Sequence, residues 1–169
     1  GCHLPKKWRA NPMILYHGSN TEISKIDLEM CKPYKDFGKA FYLTTILQQA
    51  KEMAEKVAER FGGTPVVNMY EFDEKIASDL RVKTFSSANQ EWAEFVMKNR
   101  NRNSAIMDDY DLIVGPVAND DIAMLFRTFS SGFISIDALV QGLEYRKLNN
   151  QYAFKTKKAI ALLQKRESV

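Results

Sequence analysis

The chain lacks the residues that mark disulfide-stapled, metal-binding and membrane proteins. It has two cysteines and two histidines, and their separation matches neither a disulfide framework nor the ligand spacing of a zinc site. No apolar run approaches the roughly 18 residues that a transmembrane helix needs. The basic residues Lys6, Lys7 and Arg9 are not followed by the apolar stretch of a signal peptide. We therefore expect a cytoplasmic protein with no metal and no membrane partner.

The composition favours one globular domain. Hydrophobic residues make up 45% of the 169 residues and charged residues 27%, which is typical of a chain with a buried core. We place the domain at residues 13–169 because Met13 could be a native start; residues 1–12 are then an artificial remnant or an N-terminal extension. The net charge of +3 is too small to indicate nucleic-acid binding. Basic residues do crowd the last quarter of the chain, where we favour a solvated helix face over a phosphate-binding patch: Arg146, Lys147, Lys155, Lys157, Lys158, Lys165 and Arg166.

Hydrophobic periodicity predicts short strands interspersed with helices. The strands are expected at residues 13–16, 41–44, 66–72, 111–114 and 151–154. The helices are expected at residues 45–61, 89–99, 120–126, 135–143 and 156–163. Thr45, Asp120 and Thr156 are the expected residues at three of the helix starts. Because strands and helices do not alternate regularly, the pattern predicts an α+β fold rather than a doubly wound sheet.

Three short segments contain the residues that are expected to take part in catalysis. Tyr16-His17-Gly18-Ser19 places a histidine at the end of an apolar run, and Phe37-Gly38-Lys39-Ala40-Phe41-Tyr42-Leu43-Thr44-Thr45 places a tyrosine in a glycine-led aromatic strand. Asn149-Asn150-Gln151-Tyr152-Ala153-Phe154 places a glutamine in the last strand. In this order they resemble the signatures of the ADP-ribosyltransferases, and of the poly(ADP-ribose) polymerases in particular. The resemblance implies an enzyme that uses NAD as co-substrate and needs no metal.

A narrower resemblance extends from Met13 to about Leu163. Over this range the chain is similar to the bacterial ADP-ribosyltransferase-like family DUF3990. The segments that carry it follow one another in order: Ile14-Leu15-Tyr16-His17-Gly18-Ser19, Lys35-Asp36-Phe37-Gly38-Lys39, Glu91-Trp92-Ala93-Glu94-Phe95-Val96, Tyr110-Asp111-Leu112-Ile113-Val114-Gly115-Pro116-Val117, and Asn150-Gln151-Tyr152-Ala153-Phe154-Lys155-Thr156. The implied fold is an ADP-ribosyltransferase-like split antiparallel β-sheet with flanking helices, which binds NAD in its cleft.

The resemblance assigns the NAD contacts to Tyr16, His17, Gly18, Ser19 and Tyr42. It makes His17 the ribose anchor, although a lone histidine is more often a core residue bonded to a backbone carbonyl. The Gly18 backbone and the Ser19 hydroxyl would bind the nicotinamide carboxamide. Tyr42 would stack on the cationic nicotinamide ring, and a half-buried strand tyrosine is the alternative. Neighbouring side chains of a strand point to opposite faces, so Phe41, the residue before Tyr42, is expected in the core.

Gln151 occupies the position of the polymerases' catalytic glutamate. With His17 and Tyr42 it forms the expected catalytic set. A glutamine keeps a hydrogen bond to the ribose but brings no negative charge. Elongation of a poly(ADP-ribose) chain is therefore the activity that this residue supports least. A structural glutamine bonded to backbone is the alternative. Glu91 and Glu94 are substitute acids, although a capping role is favoured. Asp36 and Lys39 are expected to be solvated, with a ligand role as the alternative.

Taken together, the residues and the resemblance indicate a mono-ADP-ribosyltransferase. It would cleave the nicotinamide–ribose bond of NAD and transfer ADP-ribose to a protein or nucleic-acid acceptor, as a bacterial toxin or effector does. A small antitoxin or immunity protein is a candidate partner. The alternatives are a catalytically weak NAD- or ADP-ribose-binding module and an RNA 2′-phosphotransferase. The phosphotransferases use a second histidine where this chain has Tyr42.

Overall fold

The computed structural model of the chain describes residues 12–169. The described residues form seven β-strands and five α-helices, with two short 3₁₀ helices. In chain order the elements are β1 Met13–Ser19, β2 Phe41–Thr44, α1 Leu47–Phe61, β3 Val66–Phe72, β4 Val82–Thr84, α2 Gln90–Arg100, β5 Leu112–Pro116, α3 Asp120–Ser130, α4 Ile136–Glu144, β6 Asn150–Phe154, α5 Lys157–Ile160 and β7 Gln164–Arg166. This mixture is consistent with the predicted α+β class.

The described residues divide into two compact units, each built from segments that are separated in sequence. The first unit contains the described residues up to Ile26, together with Leu43–Leu80 and Lys157–Val169; the second contains Asp27–Tyr42 and Arg81–Thr156. The expected extension at residues 1–12 lies, apart from Pro12, outside the described residues. A single domain over residues 13–169 stays a prediction.

In the first unit, β1 is the central strand. It pairs antiparallel with β3 along its whole length, from Met13 opposite Phe72 to Ser19 opposite Val66. Its other edge pairs antiparallel with β2, where Tyr16 lies opposite Thr44. β3 in turn pairs with β7. Because β1 continues to Ser19, the histidine segment lies within the strand and not after it, which corrects the predicted end at residue 16.

Helix α1 packs directly onto the backbone of β1. Its buried residues are Ala50, Ala54 and Ala58, which recur every four residues along one face. A Cβ atom added at Gly18 would lie 2.1 Å from the Ala50 carbonyl oxygen and 2.7 Å from the Ala54 nitrogen. The larger side chain of Met53 on the same helix is 51% exposed and takes no part in this contact. Small side chains on both elements permit this close approach.

Two helix starts differ from the predicted ones. α1 begins after Ile46 without a side-chain cap, so Thr45 does not cap the helix; the Thr44 hydroxyl accepts the N–H of Ile46 itself. At α3 the cap is Asn119 instead of Asp120. The closing helix predicted to extend to residue 163 ends at Ile160, and the chain then forms β7.

The second unit contains a three-stranded arrangement and helices α2, α3 and α4. β5 pairs antiparallel with β6 and parallel with β4. The antiparallel arrangement expected from the resemblance therefore does not extend to the β4–β5 pair, and sequence analysis missed β4 because it has only three residues. Trp92 and Phe37 are fully buried in the core of this unit, and the Trp92 indole donates to the Pro116 carbonyl oxygen at 3.0 Å. This core positions the ends of β5 and β6.

We expect Gly18→Ala to destabilise the protein. The new methyl group would overlap backbone atoms that cannot rotate away, and overpacking of this kind costs about 1–3 kcal/mol. The measurement is the free energy of unfolding from chemical denaturation. Gly142→Ala in α4 is the matched control, because its added Cβ would meet only the Leu125 side chain, at 3.3 Å. The control should be neutral or stabilising by up to about 1 kcal/mol, since alanine favours a helix.

Candidate functional site

His17 lies on the face of β1 opposite α1, because Gly18 faces the helix and neighbouring side chains alternate. The residue paired with His17 on β3 is Asn68, which is fully buried. Asn68 accepts the Ile23 N–H at 2.7 Å and donates to the Thr21 carbonyl oxygen at 3.0 Å. The Tyr70 hydroxyl donates to the Ile23 carbonyl oxygen at 2.6 Å. These bonds fix the segment that follows β1 beside the half-buried His17.

Sequence analysis did not single out Asn68. The signal was present, because asparagine is depleted in strands and Asn68 interrupts an otherwise apolar run. A buried asparagine in a strand needs partners for its amide, and here the partners are backbone atoms of the following loop. Asn68 is therefore the residue that shapes the surroundings of His17 in the first unit.

The backbone of Gly18 points away from β3. Val67, the residue opposite Gly18, exchanges both of its backbone hydrogen bonds with Val169 on its other side. In an antiparallel ladder the residue opposite such a pair directs its N–H and C=O to its own far edge. That is the edge of β1 on which Tyr16 pairs with Thr44 of β2. Tyr16 instead packs against the cluster formed by α1 and Val67, which gives it a packing role.

The Tyr42 side chain holds the turn that precedes its own strand. Its hydroxyl accepts the Phe37 N–H at 3.0 Å and donates to the Gly38 carbonyl oxygen at 2.6 Å. Burial raises the pKa of Tyr42 well above its ordinary value, against the lowering effect of the Phe37 N–H bond; nearby Asp36 adds to the rise. The hydroxyl thus stays protonated and structural. Phe41, the preceding residue, is 4% exposed, as strand alternation predicts for a core residue.

Asp36 is buried, which corrects the prediction that it is solvated. It is 7% exposed and accepts hydrogen bonds from three donors. Arg100 Nε reaches Oδ1 at 2.7 Å, while the Ala118 N–H and Gln151 Nε2 reach Oδ2, both at 2.9 Å. Arg100 also donates to the Ala118 carbonyl oxygen at 3.1 Å. Ion pairing and full hydrogen bonding make this burial of a charge tolerable.

Gln151 donates a hydrogen bond to Asp36 through its amide nitrogen Nε2. It is 9% exposed, lies on β6 opposite Gly115, and also places Nε2 3.4 Å from the Pro116 carbonyl oxygen. Because a carboxylate can only accept, the pairing with Asp36 fixes which end of the amide carries the nitrogen. The glutamine therefore has structural partners, but the nearer one is the Asp36 side chain and not the backbone that the alternative interpretation named.

A second buried ion pair supports the same loop. Lys155 donates to Asp108 at 2.6 Å and to the Phe37 carbonyl oxygen at 2.5 Å, and the side chains of the pair are 9% and 6% exposed. Lys155 thus leaves the expected solvated face. A Cβ atom added at Gly38, which has a φ of 86°, would lie 3.1 Å from Lys155 Nζ. Glycine at this position is what lets the lysine reach the loop.

The other candidate acids have ordinary surface roles. Glu91 is exposed in the first turn of α2 and pairs with Lys83 at 2.5 Å. Glu94 accepts from Gln90 one turn earlier at 3.1 Å. Lys39 is exposed, as predicted, and pairs with Glu29 at 3.5 Å. Neither glutamate has the capping role that the sequence favoured, because the cap of α2 is Asn89, whose side chain accepts the Trp92 N–H at 2.9 Å.

Two of the concave regions within the described residues each lie inside one unit. One, of about 390 Å³, belongs to the second unit and is lined by Ser86, Asn89, Arg146 and Asn150 among others. The other, a wider groove of about 920 Å³, belongs to the first unit and is lined mainly by β7 and the tail after it. His17, Tyr42 and Gln151 line neither of them. Residues 12–169 also contain no cluster of three histidine, cysteine or acidic side chains that could hold a metal ion.

The sequence matches the model of a known protein family. The family described as "Protein of unknown function (DUF3990)" matches residues 13–164. The chain belongs to the DUF3990 family. This confirms the predicted family, DUF3990, over the predicted range from Met13 to about Leu163. No curated protein and no solved structure matches the chain. Within residues 12–169, none of the helices of this DUF3990 protein combines the length and apolar character of a membrane crossing.

We expect Asp36→Asn to destabilise this DUF3990 protein by about 3 kcal/mol, the lower end of the cost of breaking a buried ion pair, because Arg100 keeps some contact with water. The isosteric amide would turn a donor toward either Arg100 or Ala118. Chemical denaturation measures the effect. Asp109→Asn is the control, because Asp109 pairs with Arg81 on the surface, where such pairs contribute less than about 1 kcal/mol. Equal losses would mean that the Asp36 bonds contribute no more than a surface pair.

We expect the stabilising effect of the Tyr42 hydroxyl to fade in alkali. The unfolded phenol ionises near its ordinary pKa of 10.0, whereas the pKa of the buried group is raised. The contribution is thus complete below about pH 10 and falls by about 1.4 kcal/mol per pH unit above it. The difference in unfolding free energy between the wild type and Tyr42→Phe should shrink accordingly. Tyr145→Phe is the control for the substitution itself, because Tyr145 is 88% exposed and the loss of its hydroxyl should barely change the free energy of unfolding at neutral pH.

Proposed function

We propose that this DUF3990 protein is an NAD-dependent mono-ADP-ribosyltransferase. It cleaves the nicotinamide–ribose bond of NAD and transfers ADP-ribose to a protein or nucleic-acid acceptor. The observation that best supports the proposal is the strand position of all three motif residues: His17 lies on β1, Tyr42 on β2 and Gln151 on β6. A role as a bacterial toxin or effector, with a small antitoxin or immunity protein as partner, accompanies this proposal.

The proposed reaction requires little covalent chemistry from the protein. NAD carries a cationic leaving group, and the transition state resembles the oxocarbenium ion of glycoside hydrolysis. The protein must hold the dinucleotide in place and stabilise the charge that develops on the ribose. His17 would anchor a ribose hydroxyl by a hydrogen bond that needs no titration, and Tyr42 would offer its ring to the nicotinamide.

The contacts proposed for the nicotinamide carboxamide involve Gly18 and Ser19. The outward direction of the Gly18 N–H and C=O from β3 supports a backbone pairing with an amide, which presents a matching donor and acceptor. The Ser19 side chain lies on the same face of β1 as that of His17. Gly18 thereby serves two purposes, since the missing Cβ admits α1 on one face of the strand.

Gln151 would accept a hydrogen bond from the nicotinamide ribose through its carbonyl oxygen. It brings no charge of its own to the developing cation. This favours a single transfer over chain elongation. The same neutral residue supports the second candidate function, a catalytically weak NAD- or ADP-ribose-binding module. Binding should be retained in both functions, so turnover is what separates them.

Incubation of the protein with NAD labelled in the adenosine moiety and a bacterial lysate tests transfer directly. We expect label in protein or nucleic acid, and equimolar release of nicotinamide. Nicotinamide release without labelled macromolecule would identify a hydrolase. If NAD binds but neither product forms, the binding module replaces the transferase as the function.

Calorimetric titration with NAD tests the site itself. We expect His17→Ala to weaken NAD binding by roughly 1–3 kcal/mol, the value of a lost hydrogen bond with an unsatisfied partner. Lys51→Ala is the control, because Lys51 is exposed on α1. Equal NAD affinities for the wild type and His17→Ala would remove His17 from the site.

A further inference from the structure

We propose that Asp36 is the positioning residue for Gln151. In this role its carboxylate holds the glutamine amide in one orientation, so that the carbonyl oxygen Oε1 is kept for the ribose hydroxyl. The inference rests on the proposed function. It assigns a role to a residue that the resemblance leaves unassigned.

The orientation follows from the chemistry of the pair. Gln151 Nε2 lies 2.9 Å from Asp36 Oδ2 and 3.4 Å from the Pro116 carbonyl oxygen. Both partners are acceptors only. Rotating the amide by half a turn would place Oε1 against two oxygens and lose both hydrogen bonds. A free glutamine presents either end to a ligand, whereas this one presents an acceptor.

Asp36 is itself held rigidly enough to do this. Arg100 Nε takes one carboxylate oxygen and the Ala118 N–H takes the other, which also receives Gln151. Arg100 and Ala118 are joined by a further bond at 3.1 Å. With both oxygens engaged and only 7% exposure, Asp36 is not arranged to touch substrate. It acts through the glutamine.

The pair also explains why position 151 carries glutamine. A glutamate there would place a second carboxylate about as close to Asp36 Oδ2 as Nε2 is, at 2.9 Å. Two carboxylates at that distance repel unless one binds a proton. One amide and one acid satisfy each other, so the aspartate in the loop and the glutamine on β6 belong together.

A double-mutant cycle separates positioning from structural support. NAD affinity, KM and kcat for transfer are measured for the wild type, Asp36→Asn, Gln151→Ala and the combined variant. We expect Asp36→Asn to lower kcat by about 10-fold to 100-fold, as a misplaced contact does, with a smaller change in NAD affinity. Added to Gln151→Ala, the same substitution should lower kcat little further, because there is then no amide left to orient.

A second experiment exchanges the acid and the amide between positions 36 and 151. Gln151→Glu alone should lower kcat through the repulsion, and Asp36→Asn combined with Gln151→Glu should recover part of it, since one acid and one amide again face each other. Full recovery is not expected, because the Ala118 N–H loses its acceptor. Asp109→Asn serves as the control for a lost surface acid and should leave kcat unchanged.

An NMR measurement tests the hydrogen bond between Asp36 and Gln151 without relying on turnover. The side-chain amide signals of Gln151, assigned by their loss in Gln151→Ala, should show slow exchange with solvent in the wild type and fast exchange in Asp36→Asn. Unchanged signals would overturn the pairing. Equal loss of kcat from Asp36→Asn with and without Gln151 would overturn positioning. A wild type that binds no NAD would overturn the proposed function and the ribose contact, whatever the NMR result.

Discussion

A buried carboxylate with three donors is the interaction on which the candidate site in the second unit depends. Asp36 connects the loop before β2 to the last residue of α2, to the segment after β5 and to β6. A charge this deeply buried requires partners, and each partner comes from a different element. Removing it would leave the buried Ala118 N–H without an acceptor and the Gln151 amide with only the Pro116 carbonyl oxygen at 3.4 Å.

The loop that carries Asp36 is fixed from its other side as well. Lys155 and the Tyr42 hydroxyl both bond to backbone atoms of Phe37 or Gly38. A side chain of β2 and one from the residue just after β6 therefore hold a segment that has no regular secondary structure of its own. These bonds hold in place a loop segment that would otherwise be expected to be mobile. Tyr42 and Gln151, chosen from the sequence for chemistry, also serve as structural supports.

In the first unit the corresponding constraint is steric. Gly18 and the alanines of α1 let a helix lie against the backbone of β1. The glycine expected to admit a ligand also admits the helix, on the other face of the strand. A functional interpretation of Gly18 thus does not compete with a packing interpretation, because the backbone edge and the side-chain face of one residue point in different directions.

The sequence by itself determined the α+β class, the family, the bounds of β2 and β3, and the burial of Phe41. These depend on local periodicity and on residues that stand next to one another. Only the tertiary structure decided the role of Asp36, whose partners lie 64, 82 and 115 residues away in the chain. An isolated Lys35-Asp36 pair is typical of a solvated loop, so no local pattern indicated its burial. The same holds for Lys155 and Asp108, which are 47 residues apart. Long-range electrostatic pairing depends on the fold and leaves no periodic trace in the sequence, whereas the helices and strands do.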